Sequence, residues 1–209
     1  MYIGPNLHSV LEQFQSLTLF DWATTILALI YVFLAARNNP WCWVFGAVAC
    51  AIWCYVDIVQ YDLYSDAALQ AFYVVMSGFG IYQWQFGGQE SGELSISRMS
   101  LTEHVGLIAF SLGVGFLLGY FVSQNFAAAA TYPDAITTVA SVGATFLLLR
   151  RKLENWLYWI VIDLGYVAIY WSREAWLFAG IMVVYVMVAG YGYWEWKREA
   201  ELRSNGLTV

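Results

Sequence analysis

The chain has 209 residues, of which 61% are apolar, 19% aromatic and only 11% charged, with a formal net charge of −6. Soluble domains carry about 45–50% apolar and about 25% charged residues, so this composition excludes an ordinary water-exposed fold and points to one compact membrane bundle. The acidic balance leaves no basic face for nucleic acid.

The first 18 residues lack the basic start of a secretory signal and are read as mature sequence. Within them Val10, Leu11, Phe14 and Leu17 cluster at helical spacing, which predicts a short amphipathic helix in the membrane interface. Hydropathy then predicts seven spans, near 19–36, 40–60, 66–86, 104–123, 133–150, 153–171 and 175–196. Eight basic residues (Arg37, Arg98, Arg150, Arg151, Lys152, Lys197, Arg198 and Arg203) fall on one side of these spans, and only Arg173 on the other. That bias predicts an outside N-terminus and a cytoplasmic C-terminus. The opposite loops, at 61–66 and 131–134, carry acid and no base, in agreement.

A polar run from Gly87 to Thr102 separates two halves that echo each other. Asp21, Thr24, Thr25, Arg37 and Trp43 correspond to Asp134, Thr137, Thr138, Arg150 and Trp156. Tyr73, Gly78, Gly80 and Trp84 correspond to Tyr185, Gly190, Gly192 and Trp196 after a one-residue slip. The expected organisation is an interfacial segment (1–18), a first three-helix repeat (19–86), a polar loop with a linker helix (87–132), a second three-helix repeat (133–198) and a cytoplasmic tail (199–209). The connector restores the direction of the chain, so the two repeats run parallel, as in transporters that bind substrate near the midplane between halves. In the linker helix, Gly115 and Gly119 form a G-x-x-x-G that admits a close helix, from the same bundle or from another subunit.

The sixth span, Leu153 to Trp171, holds one acid near its middle, Asp163. Trp156, Trp159, Tyr166 and Tyr170 share its helical face. An acid at bilayer depth costs about 2.5–3.5 kcal/mol or more, so it faces a partner, a cavity or a ligand. Aromatic faces attract cations and the carboxylate neutralises them, a combination suited to a flat cationic organic molecule. The alternative is an acid that is protonated or bonded to a neighbouring helix, with rings that only pack. On the third span Gln70, Tyr73, Ser77 and Trp84 share a face, and the Gln70 amide offers both donor and acceptor to a ligand or to another helix. Tyr185 is the repeat partner of Tyr73. The threonines near positions 24 and 137 are expected to satisfy backbone groups, and Asp21 and Asp57 to be solvated near the outer surface. The basic cluster at 150–152 is expected to anchor the cytoplasmic end.

Cys42, Cys50 and Cys54 lie in one apolar span with no C-x-x-C and no nearby histidine, so they read as core residues and not as a metal site. No Walker, H-E-x-x-H or G-x-S-x-G motif occurs, which argues against an enzyme and against ATP hydrolysis by the chain itself. Lys197 lies beyond the last span, so a retinal-binding protein is excluded. No cofactor is expected.

The run Arg150-Arg151-Lys152-Leu153-Glu154-Asn155-Trp156 with Trp159 and a polar residue at 163 resembles the PnuC family of vitamin transporters, as do Leu69-Gln70 with Tyr73 and Gly80-Ile81-Tyr82-Gln83-Trp84. The likeness runs from about residue 19 to 198. It implies an all-α membrane protein of seven helices in a 3+1+3, SWEET-like order. It also implies energy-independent uptake of nicotinamide riboside across a bacterial inner membrane, with cytoplasmic trapping by phosphorylation. Gln70 matches a ligand-binding glutamine of the family, and crystallised members imply a homotrimer. One departure matters: nicotinamide riboside carriers typically have Asn where this chain has Asp163. A carboxylate suits any permanently cationic ring, so thiamine stands second and neutral riboflavin a distant third. A non-transporting scaffold subunit is the remaining alternative.

Overall fold

A computed structural model describes residues 7–59, 64–87, 92–125 and 131–205. Residues 61–63 of the acidic loop expected at 61–66, the start of the polar loop and the last residues of the expected tail lie outside the described residues. Among the described residues there are eight helices: α1 (Leu7–Ser16), α2 (Leu19–Ala36), α3 (Cys42–Val59), α4 (Tyr64–Phe86), α5 (Leu101–Asn125), α6 (Thr131–Leu149), α7 (Asn155–Ser172) and α8 (Trp176–Ser204). By length and composition α2, α3, α5, α6 and α8 can each cross a membrane. Helices α4 and α7, of 23 and 18 residues, are long enough but less hydropathic. Their Gln, Trp and Tyr side chains, with Asp163 in α7, are the cause. Helix α8 runs past the expected span into the segment expected as tail, where Glu195–Arg198 (2.7 Å) and Glu199–Arg203 (2.8 Å) pair along its exposed turns.

The chain forms two compact units, one of residues 15–95 with 194–209 and the other of 1–14 with 96–193. In the first, α3 packs on both α2 and α4; in the second, α6 packs on both α5 and α7. Each contains the same helix-ending turn. After α2, the Asn39 N–H donates to Leu34 O (2.9 Å) and the Asn38 N–H to Ala35 O (2.9 Å), with Asn38 at φ 54°. After α6, the Lys152 N–H donates to Leu147 O (2.9 Å) and the Arg151 N–H to Leu148 O (3.0 Å), with Arg151 at φ 48°. This is the Schellman pattern, which satisfies the last carbonyls of a helix through one left-handed residue.

Each unit also stacks an indole on a glycine. A Cβ on Gly80 would fall inside the Trp43 ring, and one on Gly192 would sit 2.7 Å from Trp156 Cε2. Trp43, at 2% exposure, meets Trp84 edge-on with 5.5 Å between ring centroids, and Trp84 meets Trp196 at 5.7 Å. The Trp196 indole N–H donates to Ala35 O (3.0 Å) and so covers the end of α2.

Helix α5 carries small residues on one side, Ser111, Gly115 and Gly119, all buried. Gly115 lies against Ile136 and Gly119 against Tyr132, so the G-x-x-x-G packs on α6 of its own chain. The same helix also exposes Phe110, Leu117 and Phe121, which lie away from that side. Ahead of α5 the backbone is strapped to the α6–α7 turn: the Ser97 N–H donates to Arg151 O (3.0 Å) and the Leu153 N–H to Ser97 O (2.8 Å). Lys152 then reaches Arg98 O (3.1 Å) and the Glu103 carboxylate (3.0 Å). Within the basic cluster, Arg151 is therefore a buried residue, 3% exposed, while Arg150 stays in solvent.

Candidate functional site

Asp163 lies midway along α7 and is 5% exposed. It makes no hydrogen bond or ion pair with any described residue. That departs from the usual state of a buried acid, which is paired or bonded. The alternative of an acid engaged by a neighbouring helix thus has no support among the described residues. Along the same helix Trp159 and Tyr166 are half-buried, and Tyr166 stacks on Tyr170 with 6.0 Å between rings. Two residues from Asp163, Gly165 lets Thr137 of α6 approach, since a Cβ there would be 3.0 Å from Thr137 Cγ2. Close approach of α6 leaves Asp163 at a level where a ring or long side chain at 165 would not fit.

Trp156 has a different setting from its neighbours on the helical face. At 1% exposure and seated on Gly192, it fixes the start of α7 to α8. Beside it Asn155, fully buried, donates from its amide to Lys152 O (2.7 Å). Glu154 accepts from the Met99 N–H (2.8 Å). These three residues of the Glu-Asn-Trp element therefore set the angle at which α7 enters the bundle. Tyr185 is half-buried on α8 in the same unit.

Gln70, Tyr73 and Trp84 belong to the other unit, on α4. Gln70 is half-buried and, like Asp163, makes no hydrogen bond with a described residue. Tyr73 is half-buried, and its carbonyl accepts the Ser77 hydroxyl (2.8 Å). Trp84 is 1% exposed within the Trp43–Trp84–Trp196 cluster. The threonines behave as spacing suggests: Thr24 donates to Phe20 O (2.8 Å) and Thr137 to Pro133 O (2.9 Å). Asp21 closes a capping box with Thr18 at the start of α2. Asp57 is a correction. Expected in solvent, it is 5% exposed inside its unit, because the last turns of α3 still pack on their neighbours. Nothing in its local sequence separates it from a surface acid. Cys54 spends its thiol on Ala67 O (3.3 Å), and no group of three or more metal-ligating side chains occurs among the described residues.

An all-helical, multi-pass membrane protein with an acid buried in one helix, unpaired among the described residues, is the class these features define. The chain belongs to the nicotinamide mononucleotide transporter family, whose model matches residues 18–198. It is a transporter and not an enzyme. It is 24% identical over 187 residues to the nicotinamide riboside transporter PnuC of Neisseria mucosa, covering 84% of this chain and 69% of that one. To PnuC of Escherichia coli it is 22% identical over 206 residues, covering 87% and 86%. The riboflavin/roseoflavin transporter RibM of Streptomyces davaonensis is also 24% identical, over 183 residues and 84% and 83% of the two chains. A crystal structure of the vitamin B3 transporter PnuC superposes with a TM-score of 0.67 at 18% identity, covering 96% of this chain and 94% of that one, which establishes the shared fold.

Proposed function

We propose that the chain carries nicotinamide riboside into the cell across the bacterial inner membrane by facilitated diffusion, with phosphorylation in the cytoplasm preventing return. The observation that carries this reading is Asp163, buried to 5% in α7 with no partner among the described residues. A pyridinium ring brings one permanent positive charge, and a carboxylate is its natural counter-ion in a medium of low dielectric. Several relatives named as nicotinamide riboside transporters support the same substrate.

In this reading Asp163 neutralises the ring, Trp159 and Tyr166 on the same helix offer aromatic faces, and the Gln70 amide serves a hydroxyl or carboxamide. Tyr73 and Tyr185 are further ring contacts. Trp156 and Trp84 act through packing, a role their near-complete burial supports. The architecture we propose is seven crossings in a SWEET-like 3+1+3 order, N-terminus outside, built from two copies of one three-helix unit. The two like Schellman turns and the two indole-on-glycine contacts support the repeat. Because substrate charge is permanent, no proton need move, and the membrane potential favours entry by about 2.3 kcal/mol per 100 mV. Assembly is proposed as a homo-oligomer, a trimer by resemblance.

Thiamine is the second reading, favoured by the same acid because its thiazolium ring is also permanently cationic. Calorimetric titration of purified protein with nicotinamide riboside, thiamine and riboflavin in parallel tests the assignment. Tightest binding of nicotinamide riboside is the expected result, whereas tightest binding of neutral riboflavin would remove the counter-ion argument.

A further inference from the structure

Two ring contacts fix the register of α7 against α8, both within one compact unit. Near the start of α7, Trp156 sits on Gly192, where a Cβ would be 2.7 Å from Cε2. Two heptads outward, in the proposed orientation, Tyr170 meets Phe178 with 5.8 Å between ring centroids and 37° between planes. The helices therefore run antiparallel and in step, and the residues midway between these contacts, Asp163 and Tyr185, share one level. The Tyr170–Phe178 layer lies one heptad beyond it, a distance of about 10 Å along the helix. Tyr166 joins that layer from one turn below, stacked on Tyr170 with centroids 6.0 Å and planes 22° apart. Both tyrosines are half-buried. Three rings in contact thus stand outward of the buried acid along the same seam.

A second acid stands beside them. Asp134, in the first turn of α6, lies close enough for its charge to act on the Tyr170 hydroxyl, and Arg173 acts there more weakly in the opposite sense. The Asp134 carboxylate is exposed and makes no hydrogen bond or ion pair with any described residue. Its repeat mate Asp21 differs: that carboxylate accepts the Thr18 N–H (2.8 Å) and hydroxyl (2.7 Å) and so caps α2. The same place is structural in one copy and unengaged in the other. A first-turn acid suits the helix dipole, but that requires no aromatic cluster at its side. Ring faces attract cations and a carboxylate at their edge adds the opposite charge, the pairing by which aromatic cages hold quaternary nitrogen.

We propose that Tyr166, Tyr170 and Phe178, with Asp134 beside them, form a second cation site, one station outward of Asp163. It takes a permanently cationic heteroaromatic ring and passes it inward to the buried carboxylate. Its place as an entry station rests on the transport reading; its affinity for cations does not.

The test uses the full chain, with thiamine as a permanently cationic probe and nicotinamide as a neutral ring, read by saturation-transfer NMR. In Asp163→Asn protein the thiamine signal should persist and saturate, and exceed that of nicotinamide by about threefold or more. Adding Tyr170→Leu or Asp134→Asn to that background should each lower the thiamine signal by about threefold or more. Tyr170→Phe keeps the ring and should preserve the signal, which separates loss of the site from loss of the fold, and Arg173→Gln should raise it. A thiamine signal left unchanged by Tyr170→Leu or by Asp134→Asn, or matched by nicotinamide, would overturn the proposal. If the native chain binds no cationic vitamin in calorimetry while this signal holds, the transport reading falls and the outer site stands. If native binding depends on Asp163 and this signal is absent, the outer site alone falls.

Discussion

Replacing Gly192 by Ala tests how tightly α7 and α8 are joined. The new methyl would sit 2.7 Å from Trp156 Cε2 and 2.8 Å from Cδ2, where ordinary contact begins at 3.4 Å, so ring or helix must give by about 0.7 Å. Trp156 is 1% exposed and cannot rotate into lipid. Overpacking of this kind costs about 1–3 kcal/mol. Removing a helical glycine returns about 1 kcal/mol, leaving a net loss of about 1 kcal/mol. Gly190, with nothing within 4 Å of its would-be methyl, supplies the control, and Gly190→Ala should be neutral or mildly stabilising. Thermal unfolding of purified protein followed by tryptophan emission provides the measurement. Because the strain lies in one contact, Trp156→Phe should cost less in the Gly192→Ala background than in the native chain, a coupling of about 0.5 kcal/mol or more. Equal stability of the two alanine variants, or strict additivity in the cycle, would refute the packing argument.

Ser100→Ala removes the hydroxyl that accepts the Glu103 N–H (3.3 Å) at the start of α5 and should lower stability by about 1 kcal/mol, read from the same unfolding curve. Trp196→Phe deletes the buried indole N–H bonded to Ala35 O and should cost about 1–3 kcal/mol. In liposomes, an inside-negative potential of about 100 mV should concentrate nicotinamide riboside about 50-fold, from about 2.3 kcal/mol per charge. A proton gradient imposed at fixed voltage should concentrate none, and accumulation under that gradient would show coupling.

Long apolar stretches made most helices legible, and the start of α2 falls where hydropathy places it. Asp163 stands out in the sequence because a lone acid in an apolar run is costly wherever the chain folds, and its burial is what the structure adds. What sequence hid was set by contacts between distant segments. The charged end of α8 reads as tail because its residues are polar, yet it stays helical through paired charges and is fastened by Trp196. The Asn38 turn could be anticipated, since Asn accepts a left-handed backbone, but Arg151 at the matching place could not. Trp156 shared a helical face with Asp163, and spacing alone could not reveal that Gly192 lies beneath it. Likewise Asp134 reads as the repeat of Asp21 until Tyr170 is brought within reach of its charge.

The account turns on a negative charge at residue 163 meeting a cationic ring. Calorimetric titration of thiamine, a permanently cationic ligand, into the native chain and into Asp163→Asn, at matched salt and pH, measures that directly. Affinity should fall at least about tenfold in the variant, equivalent to about 1.4 kcal/mol. Equal affinity in a folded Asp163→Asn protein would make this acid a structural residue and leave the proposed recognition without its centre.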